Sequence, residues 1–142
     1  MTELTSKEKA LVAARAADAK KATDIVIQQV REALLITDYF VIVTGANNRQ
    51  VDAICAFVEE SLRLEGNVKP QGREGTTELS WVLLDYGDIV VHVFQPEIRD
   101  YYRLEGLWSD VPIIDVSEAG IEAPVYSERI ARLLKIPLDS VQ

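Results

Sequence analysis

Five consecutive apolar residues, from Tyr39 to Val43, place the strongest constraint on the fold of this chain. A strand with one face in water alternates apolar and polar side chains, whereas an unbroken apolar run predicts a strand that is buried on both faces. Gly45 ends the run, and Asn47 or Asn48 can cap a helix that follows. That helix carries an apolar stripe made of Val51, Ile54, Cys55, Val58 and Leu62. A buried strand, a glycine turn and a capped amphipathic helix together predict an α/β fold, in which helices cover a sheet.

The N-terminal segment predicts a helix of a different kind. Thr5 and Glu8 have the spacing of a capping box, and an alanine-rich stretch continues from there to about Lys21. Because the side chains on its apolar face are small, we expect this helix to pack loosely or at the margin of the fold. We divide the chain into this N-terminal helix (1–22), an α/β region (23–112) and a C-terminal extension (113–142), all within a single domain.

Further elements follow from local patterns in the sequence. We expect a β-branched strand at 24–30, a short edge strand and loop within 67–80, a β-hairpin at 81–94, a helical segment that begins at Pro96, a short strand at 113–116, and a helix that is capped by Ser127 and stops before Pro137. Gly66 is the expected stop of the central helix.

Composition and charge narrow the classes of function. With 142 residues, of which 48% are apolar, the chain can bury the core of one domain. The balance of 23 acidic against 15 basic residues disfavours direct binding to the nucleic-acid backbone and suits a basic protein partner. Such a balance can also serve solubility alone. A single cysteine, the lack of an apolar leader and apolar runs of only about five residues predict a cytoplasmic protein without a membrane span.

The hairpin, WVLLDYGDIVVHVF, contains the chain's one histidine, His92. A two-residue turn at Tyr86-Gly87 would pair Asp85 with Asp88 and Trp81 with His92, and directly paired residues share a face. One face is then purely aliphatic and is predicted to belong to the core: Val82, Leu84, Ile89, Val91 and Val93. The other face mixes aromatic and acidic side chains: Trp81, Leu83, Asp85, Asp88, Val90, His92 and Phe94.

Two interpretations of this mixed face stay open. Aromatic anchors beside charged groups are typical of protein interfaces, and opposed carboxylates are easier to accommodate where they meet cations. Alternatively, the aspartates are ordinary turn residues and Trp81 packs beneath a helix. A different turn register would exchange the two faces.

The residues give little support for catalysis. Asp85 and Asp88 could bind a divalent metal, and Gly45 could approach a phosphate at a helix N-terminus, but no nucleotide-binding motif accompanies them. Cys55 lies on the apolar stripe of its helix and is expected to be a small buried hydrophobe instead of a nucleophile. A lone His92 excludes a multi-histidine metal site and suits a structural or interface role. We therefore expect no catalytic residues, metal or cofactor.

Four stretches of the chain resemble the ribosomal silencing factor family, also called RsfS or Iojap-like. They are ITDYFVIVTGANNRQVDAI (36–54), REG (73–75), WVLLDYGDIVVHVF (81–94) and YYRLEGLWSD (101–110). The similarity extends from about Lys20 to Pro112 and leaves the C-terminal tail outside. It implies a mixed sheet with flanking helices, similar to a nucleotidyltransferase fold but without transferase activity.

The resemblance also implies a function. Family members bind a basic protein of the large ribosomal subunit, L-fourteen, block the joining of the ribosomal subunits and so repress translation; homodimers are expected as well. The corresponding partner-binding residues in this chain are Trp81, Leu83, Asp85, Tyr86, Asp88, His92, Phe94, Tyr102 and Trp108. A helper of large-subunit assembly that uses the same surface, or a nucleotide-handling enzyme on the same fold, are the alternatives.

Overall fold

The computed structural model describes residues 3–136, which form one mixed β-sheet with helices on both faces. The strands described in this range are β1 (Thr23–Gln29), β2 (Tyr39–Thr44), β3 (Gly72–Glu74), β4 (Trp81–Asp85), β5 (Ile89–Phe94) and β6 (Ile113–Ile114). Their order across the sheet is β3-β4-β5-β2-β1-β6. The pairing of β2 with β5 is parallel and the other pairings are antiparallel. The expected α/β class, with a mixed sheet in a single domain, is confirmed.

The helices of residues 3–136 lie on both sides of this sheet. They are α1 (Ser6–Ala19), α2 (Arg31–Leu34), α3 (Asn48–Gly66), α4 (Pro96–Tyr102), α5 (Leu104–Leu107) and α6 (Glu128–Leu133), and a 3-10 turn spans Val116–Ala119. Within this part of the chain, no helix combines the length and the apolar character that a membrane crossing requires.

The central strand β2 is buried along its whole length, as its unbroken apolar run predicts. Asn47 caps α3 by accepting a hydrogen bond from the backbone of Gln50 through its side chain. The apolar stripe of α3 packs into the main core, together with α1 and the aliphatic face of the hairpin. The helix ends at Gly66, but the residue that adopts the left-handed conformation is the next one, Asn67, with φ at +52°.

Helix α1 corrects one expectation. Its capping box is present, since the Thr5 backbone donates to Glu8 and the Glu8 backbone donates to the Thr5 hydroxyl. The prediction of loose or marginal packing is wrong, because five alanines on its inner face are at most 2% exposed: Ala10, Ala13, Ala14, Ala16 and Ala17. They form part of the main core with α3 and the sheet. Small side chains allow the helix backbone to approach its neighbours closely, so the absence of large side chains leaves no gap.

The hairpin turn also differs from the prediction. The register pairs Asp85 with Val90 and Trp81 with Phe94, not Asp85 with Asp88. Four residues, 86–89, therefore separate the paired Asp85 and Val90, and the Tyr86 backbone donates to the Ile89 carbonyl oxygen at 2.9 Å. The shift amounts to two residues, which preserves the alternation of side chains. All five residues of the predicted aliphatic face are fully buried, as expected.

The segment after Pro112 continues the same sheet. Strand β6 pairs with β1, and the segment around α6 covers Val26 on one face of β1. The Tyr126 hydroxyl donates a hydrogen bond to the Ile25 carbonyl oxygen at 2.7 Å. Ser127 caps α6 as predicted, and the helix ends at Leu133. Pro137, the expected stop, lies outside the described residues.

Candidate docking surface

One side of the β4–β5 hairpin, together with the segment of α4 and α5, forms a partly open apolar surface. We call it the hairpin face; its half-buried or exposed members are Trp81, Leu83, Asp85, Val90, Tyr102 and Trp108, and its buried floor includes His92 and Phe94. Alternation along β4 and β5 places the hairpin residues on one side, and the turn into α4 brings Tyr102 against Trp81. Seven of the nine predicted contact residues therefore belong to one surface.

Trp81 lies at the centre of the aromatic part of this surface. Its indole ring stacks on the ring of Phe94, with centroids 4.6 Å apart and an interplanar angle of 27°. The ring of Tyr102 lies 5.0 Å away in a tilted arrangement. These are favourable geometries for aromatic pairs, and the indole stays half-buried, with part of its surface open to solvent. Trp81 also packs against Tyr102 of α4, so the structure is consistent with both the interface interpretation and the packing interpretation of this side chain.

His92 lies below Trp81 and is only 4% exposed. The indole Nε1–H of Trp81 donates a hydrogen bond to His92 Nδ1 at 3.1 Å, and the ring of Phe40 contacts the imidazole edge-on. Burial in apolar surroundings, with a smaller contribution from the positive charge of Arg99, lowers the pKa of His92 to about 3. The imidazole is therefore neutral near pH 7, as an acceptor at Nδ1 requires.

The two aspartates of the hairpin do not form a pair. Asp85 stays on the hairpin face and accepts a hydrogen bond from the Gly87 backbone through its carboxylate. Asp88 instead contacts α1, where its carboxylate accepts hydrogen bonds from the Ser6 hydroxyl and the Lys9 ammonium. The predicted pairing of opposed carboxylates on one face is wrong, because the register places Val90 opposite Asp85 and leaves Asp88 in the turn.

Tyr86 also leaves the hairpin face. Its ring packs against the main core on the side of α3, and burial together with the nearby Glu59 carboxylate raises the pKa of its phenol. The loop thus sends Tyr86 and Asp88 towards the helices, while Asp85 is the one predicted acidic residue that the hairpin face retains.

Two large side chains beside this surface were absent from the predicted set. Tyr101 is 79% exposed and contacts Tyr102 edge-on, and Leu107 is 69% exposed. The sequence signal for Tyr101 and Leu107 is the stretch YYRLEGLW, which contains more apolar residues than two short helices can bury. Leu35 and Ile36, at the tip between β1 and β2, are more than 80% exposed and were missed as well.

A buried ionic cluster joins α4, which ends at Tyr102, to α5, which ends just before Trp108. The Arg99 guanidinium, 1% exposed, contacts the fully buried Glu105 carboxylate at 2.7 Å and donates to the Asp24 carbonyl oxygen and the Thr44 hydroxyl. Arg129 of α6 reaches the same carboxylate at 2.8 Å. Charged residues in short amphipathic helices normally predict a solvated face, so no local pattern indicates this cluster.

The residues considered for catalysis are not brought together. Asp85 and Asp88 contact different elements, and residues 3–136 contain no group of three or more histidine, cysteine or acidic side chains arranged to hold a metal ion. Gly45 serves close packing, because a Cβ there would lie 2.9 Å from the Val51 side chain. Cys55 is buried, and desolvation raises the pKa of its thiol to about 12, which keeps it protonated.

The fold and the hairpin face define a single-domain α/β protein with an open aromatic surface on one side of a mixed sheet. The family model described as "ribosomal silencing factor during starvation" matches residues 3–132. This chain belongs to the ribosomal silencing factor (RsfS) family. The match extends beyond the region of resemblance found in the sequence at both ends, and it includes α1 and most of the C-terminal segment.

Individual relatives agree with this assignment. A ribosomal silencing factor RsfS from Bacillus subtilis is 41% identical over 105 residues, which cover 74% of this chain and 88% of the relative. The mouse protein "Mitochondrial assembly of ribosomal large subunit protein 1" is 33% identical over 95 residues, which cover 63% of this chain and 40% of that protein. A crystal structure of a Chromobacterium violaceum protein is 36% identical, with a TM-score of 0.71 over 74% of this chain and 87% of that one.

Proposed function

We propose that this protein binds the large ribosomal subunit through the basic ribosomal protein L-fourteen, with the hairpin face as its contact surface, and thereby blocks subunit joining in the cytoplasm. It acts as a binding protein without turnover, and its effect is to repress translation. The observation that carries the proposal is the partly exposed aromatic surface around Trp81, with Asp85 at its edge, in a chain that belongs to the RsfS family.

The chemistry of the hairpin face suits a partner with a basic rim and an apolar recess. A few large side chains such as Trp and Tyr near the centre of an interface supply most of the binding energy, whereas charges at the edge mainly increase the rate of association. Trp81 and Tyr102 offer the aromatic part, and the Asp85 carboxylate and the net charge of −8 attract a cationic protein. Because nearby ribosomal RNA repels the same net charge, local matching at Asp85 contributes more to affinity than the overall charge.

Occlusion explains how binding without chemistry would silence translation. A body of 15.9 kDa on the surface that faces the small subunit occupies volume that the joined ribosome needs. Binding to free large subunits then shifts the population away from joined ribosomes by mass action.

The test is to measure binding to purified large subunits and to L-fourteen with matched variants. Trp81→Ala removes the aromatic anchor, and we expect it to weaken binding by about tenfold or more, as for a central interface aromatic. Phe57→Ala removes a half-buried aromatic residue from α3, outside the hairpin face, and serves as its control. Asp85→Arg is matched by Asp52→Arg, an exposed aspartate of α3. Equal effects within each matched pair would remove the hairpin face from the proposal.

A role in large-subunit assembly is the second candidate, and the name of the mouse relative favours it. Both roles use the same contact. They differ in the stage of the large subunit that the protein acts on, which is a precursor for an assembly factor and a mature subunit for a silencing factor. Depletion of the protein distinguishes them: an assembly factor leaves large-subunit precursors behind, whereas a silencing factor leaves mature subunits that join in excess under starvation.

A further inference from the structure

The contact between Trp81 and His92 has a feature that packing alone does not explain. His92 is 4% exposed and lies among aromatic rings, at distances between centroids of 4.8 Å to Phe40, 6.0 Å to Trp81 and 6.3 Å to Phe94. An aliphatic or aromatic side chain would fill such a site without polar atoms. Instead the site holds an imidazole, and one of its two nitrogens accepts the indole N–H of Trp81.

The second ring nitrogen, Nε2, shows that this arrangement lowers the stability of the fold. With Nδ1 as an acceptor, the neutral imidazole carries its proton on Nε2. Nε2 is buried and has no hydrogen-bonding partner within residues 3–136. A buried donor without a partner is destabilising, so the imidazole lowers the stability of this part of the core relative to an apolar side chain of similar size. A destabilising buried polar group calls for a compensating role, and the contact that His92 makes is with Trp81.

We propose that His92 is a positioning residue for docking: its Nδ1 holds the Trp81 indole in the orientation in which the ring is offered to the partner. This inference rests on the proposed function, in which Trp81 is the central anchor. His92 is itself buried and makes no contact with the partner.

The geometry around Trp81 explains why a hydrogen bond is needed there. Stacking on Phe94 and contact with Tyr102 favour one plane for the indole, but stacking forces are weakly directional and permit the ring to slide or turn over. A hydrogen bond from Nε1 to a fixed acceptor selects one orientation within that plane. A side chain that is already ordered loses less conformational entropy on binding, so the fixed orientation increases affinity.

Two substitutions separate this positioning role from a role in packing. His92→Leu keeps most of the apolar volume and removes the acceptor. His92→Asn loses volume next to Phe40, but its side-chain oxygen can take the place of Nδ1. A packing role predicts that His92→Leu is the better tolerated variant in every assay. The positioning role predicts that His92→Leu is the more stable of the two variants but binds more weakly than His92→Asn.

The first measurement follows the indole N–H of Trp81 by NMR, and the signal is assigned from its loss in Trp81→Phe. In the wild-type protein and in His92→Asn we expect one indole signal that is protected from exchange with solvent. In His92→Leu we expect fast exchange and more than one ring orientation. A protected, single signal in His92→Leu would contradict the positioning role directly, without reference to any partner.

The second measurement is the affinity for purified large ribosomal subunits. We expect His92→Leu to bind about tenfold more weakly than the wild-type protein, and His92→Asn to stay within about threefold, in spite of its lower melting temperature. A double-mutant cycle with Trp81→Phe, which lacks the N–H donor, completes the test: His92→Leu should have almost no further effect on binding in that background.

The outcomes distinguish the two proposals. Absence of wild-type binding to the large subunit contradicts the proposed function itself. Wild-type binding that is weakened by Trp81→Ala but unchanged by His92→Leu contradicts the positioning role alone. Affinities that follow the melting temperatures of the variants identify His92 as a packing residue and overturn the inference as well.

Discussion

The imidazole of His92 is desolvated by its apolar neighbours and lies near the positive charge of Arg99, and both lower its pKa to about 3 from 6.5. The unfolded chain therefore takes up a proton near pH 6.5 that the folded protein does not accept until about pH 3. Between these values the unfolded state binds more protons, so stability falls as the pH falls. From pH 7 to pH 5 we expect the free energy of unfolding to decrease by about 2 kcal/mol through this residue.

This pH range isolates His92, because it is the chain's one histidine and most carboxyl groups titrate at lower pH. Urea denaturation at a series of pH values measures the slope, and the His92→Leu protein is the control, whose stability should change little between pH 7 and pH 5. Equal slopes for the two proteins would mean that His92 is solvated or protonated in the folded state.

A second prediction at the level of single residues concerns the Glu105 carboxylate. It is fully buried between Arg99 and Arg129, so Glu105→Gln leaves the buried Arg99 charge without its counterion. Loss of one partner from a buried ion pair costs about 3–5 kcal/mol. Glu128→Gln removes one partner of the exposed Glu128–Arg132 pair, and we expect a loss of at most about 1 kcal/mol. Chemical denaturation of both variants checks the difference, and similar losses would show that the buried cluster is more hydrated than its geometry implies.

At the scale of elements, Gly75 fixes the connection between β3 and β4. Its φ is +78°, and a Cβ at this position would lie 2.0 Å from the Trp81 carbonyl oxygen. Gly75→Ala must therefore move the backbone of Trp81, and we expect it to lower both stability and binding to the large subunit.

Gly120 is the matched control for this prediction. Its φ is +83°, but nothing lies within 4 Å of a Cβ built there, so Gly120→Ala carries only the backbone strain, about 1–2 kcal/mol. Denaturation midpoints and tryptophan fluorescence compare the two variants. A Gly75→Ala protein no less stable than Gly120→Ala would show that the contact with Trp81 relaxes at little cost.

Most elements could be predicted because their signals are local. The apolar run of β2, the Asn47 cap and the capping box at Thr5 depend on neighbouring residues alone, and all were confirmed. Apart from Asp88, the residues of the hairpin were assigned to the correct faces although its register was not correct, because a shift of two residues keeps the alternation of side chains.

Features that depend on distant partners could not be predicted. The tight packing of α1 requires knowledge of how closely α3 and the sheet approach its alanines. Asp88 left the predicted surface because Ser6 and Lys9, about eighty residues away in sequence, hold its carboxylate. The cluster around Arg99 joins α4, α5 and α6, and no local pattern indicates that its charges are buried.

For the molecule as a whole, the fold leaves one side of a hairpin partly open while the other side forms the core. Helices α1 and α3 cover the aliphatic face completely, and α4 and α5 cover only part of the hairpin face. The rigid core therefore holds Trp81, Leu83 and Asp85 in fixed relative positions, which is the preorganisation that an interface requires. The family relationship gives this surface its proposed partner, and an attraction between the Asp85 carboxylate and a cationic partner predicts binding that weakens as salt is added.

The most direct test of the central claim is to follow the joining of purified large and small ribosomal subunits by light scattering while this protein is added. We expect saturating wild-type protein to prevent joining and Trp81→Ala to require a much higher concentration, while Phe57→Ala acts like the wild type. Joining that proceeds unchanged at saturating wild-type protein would contradict the account.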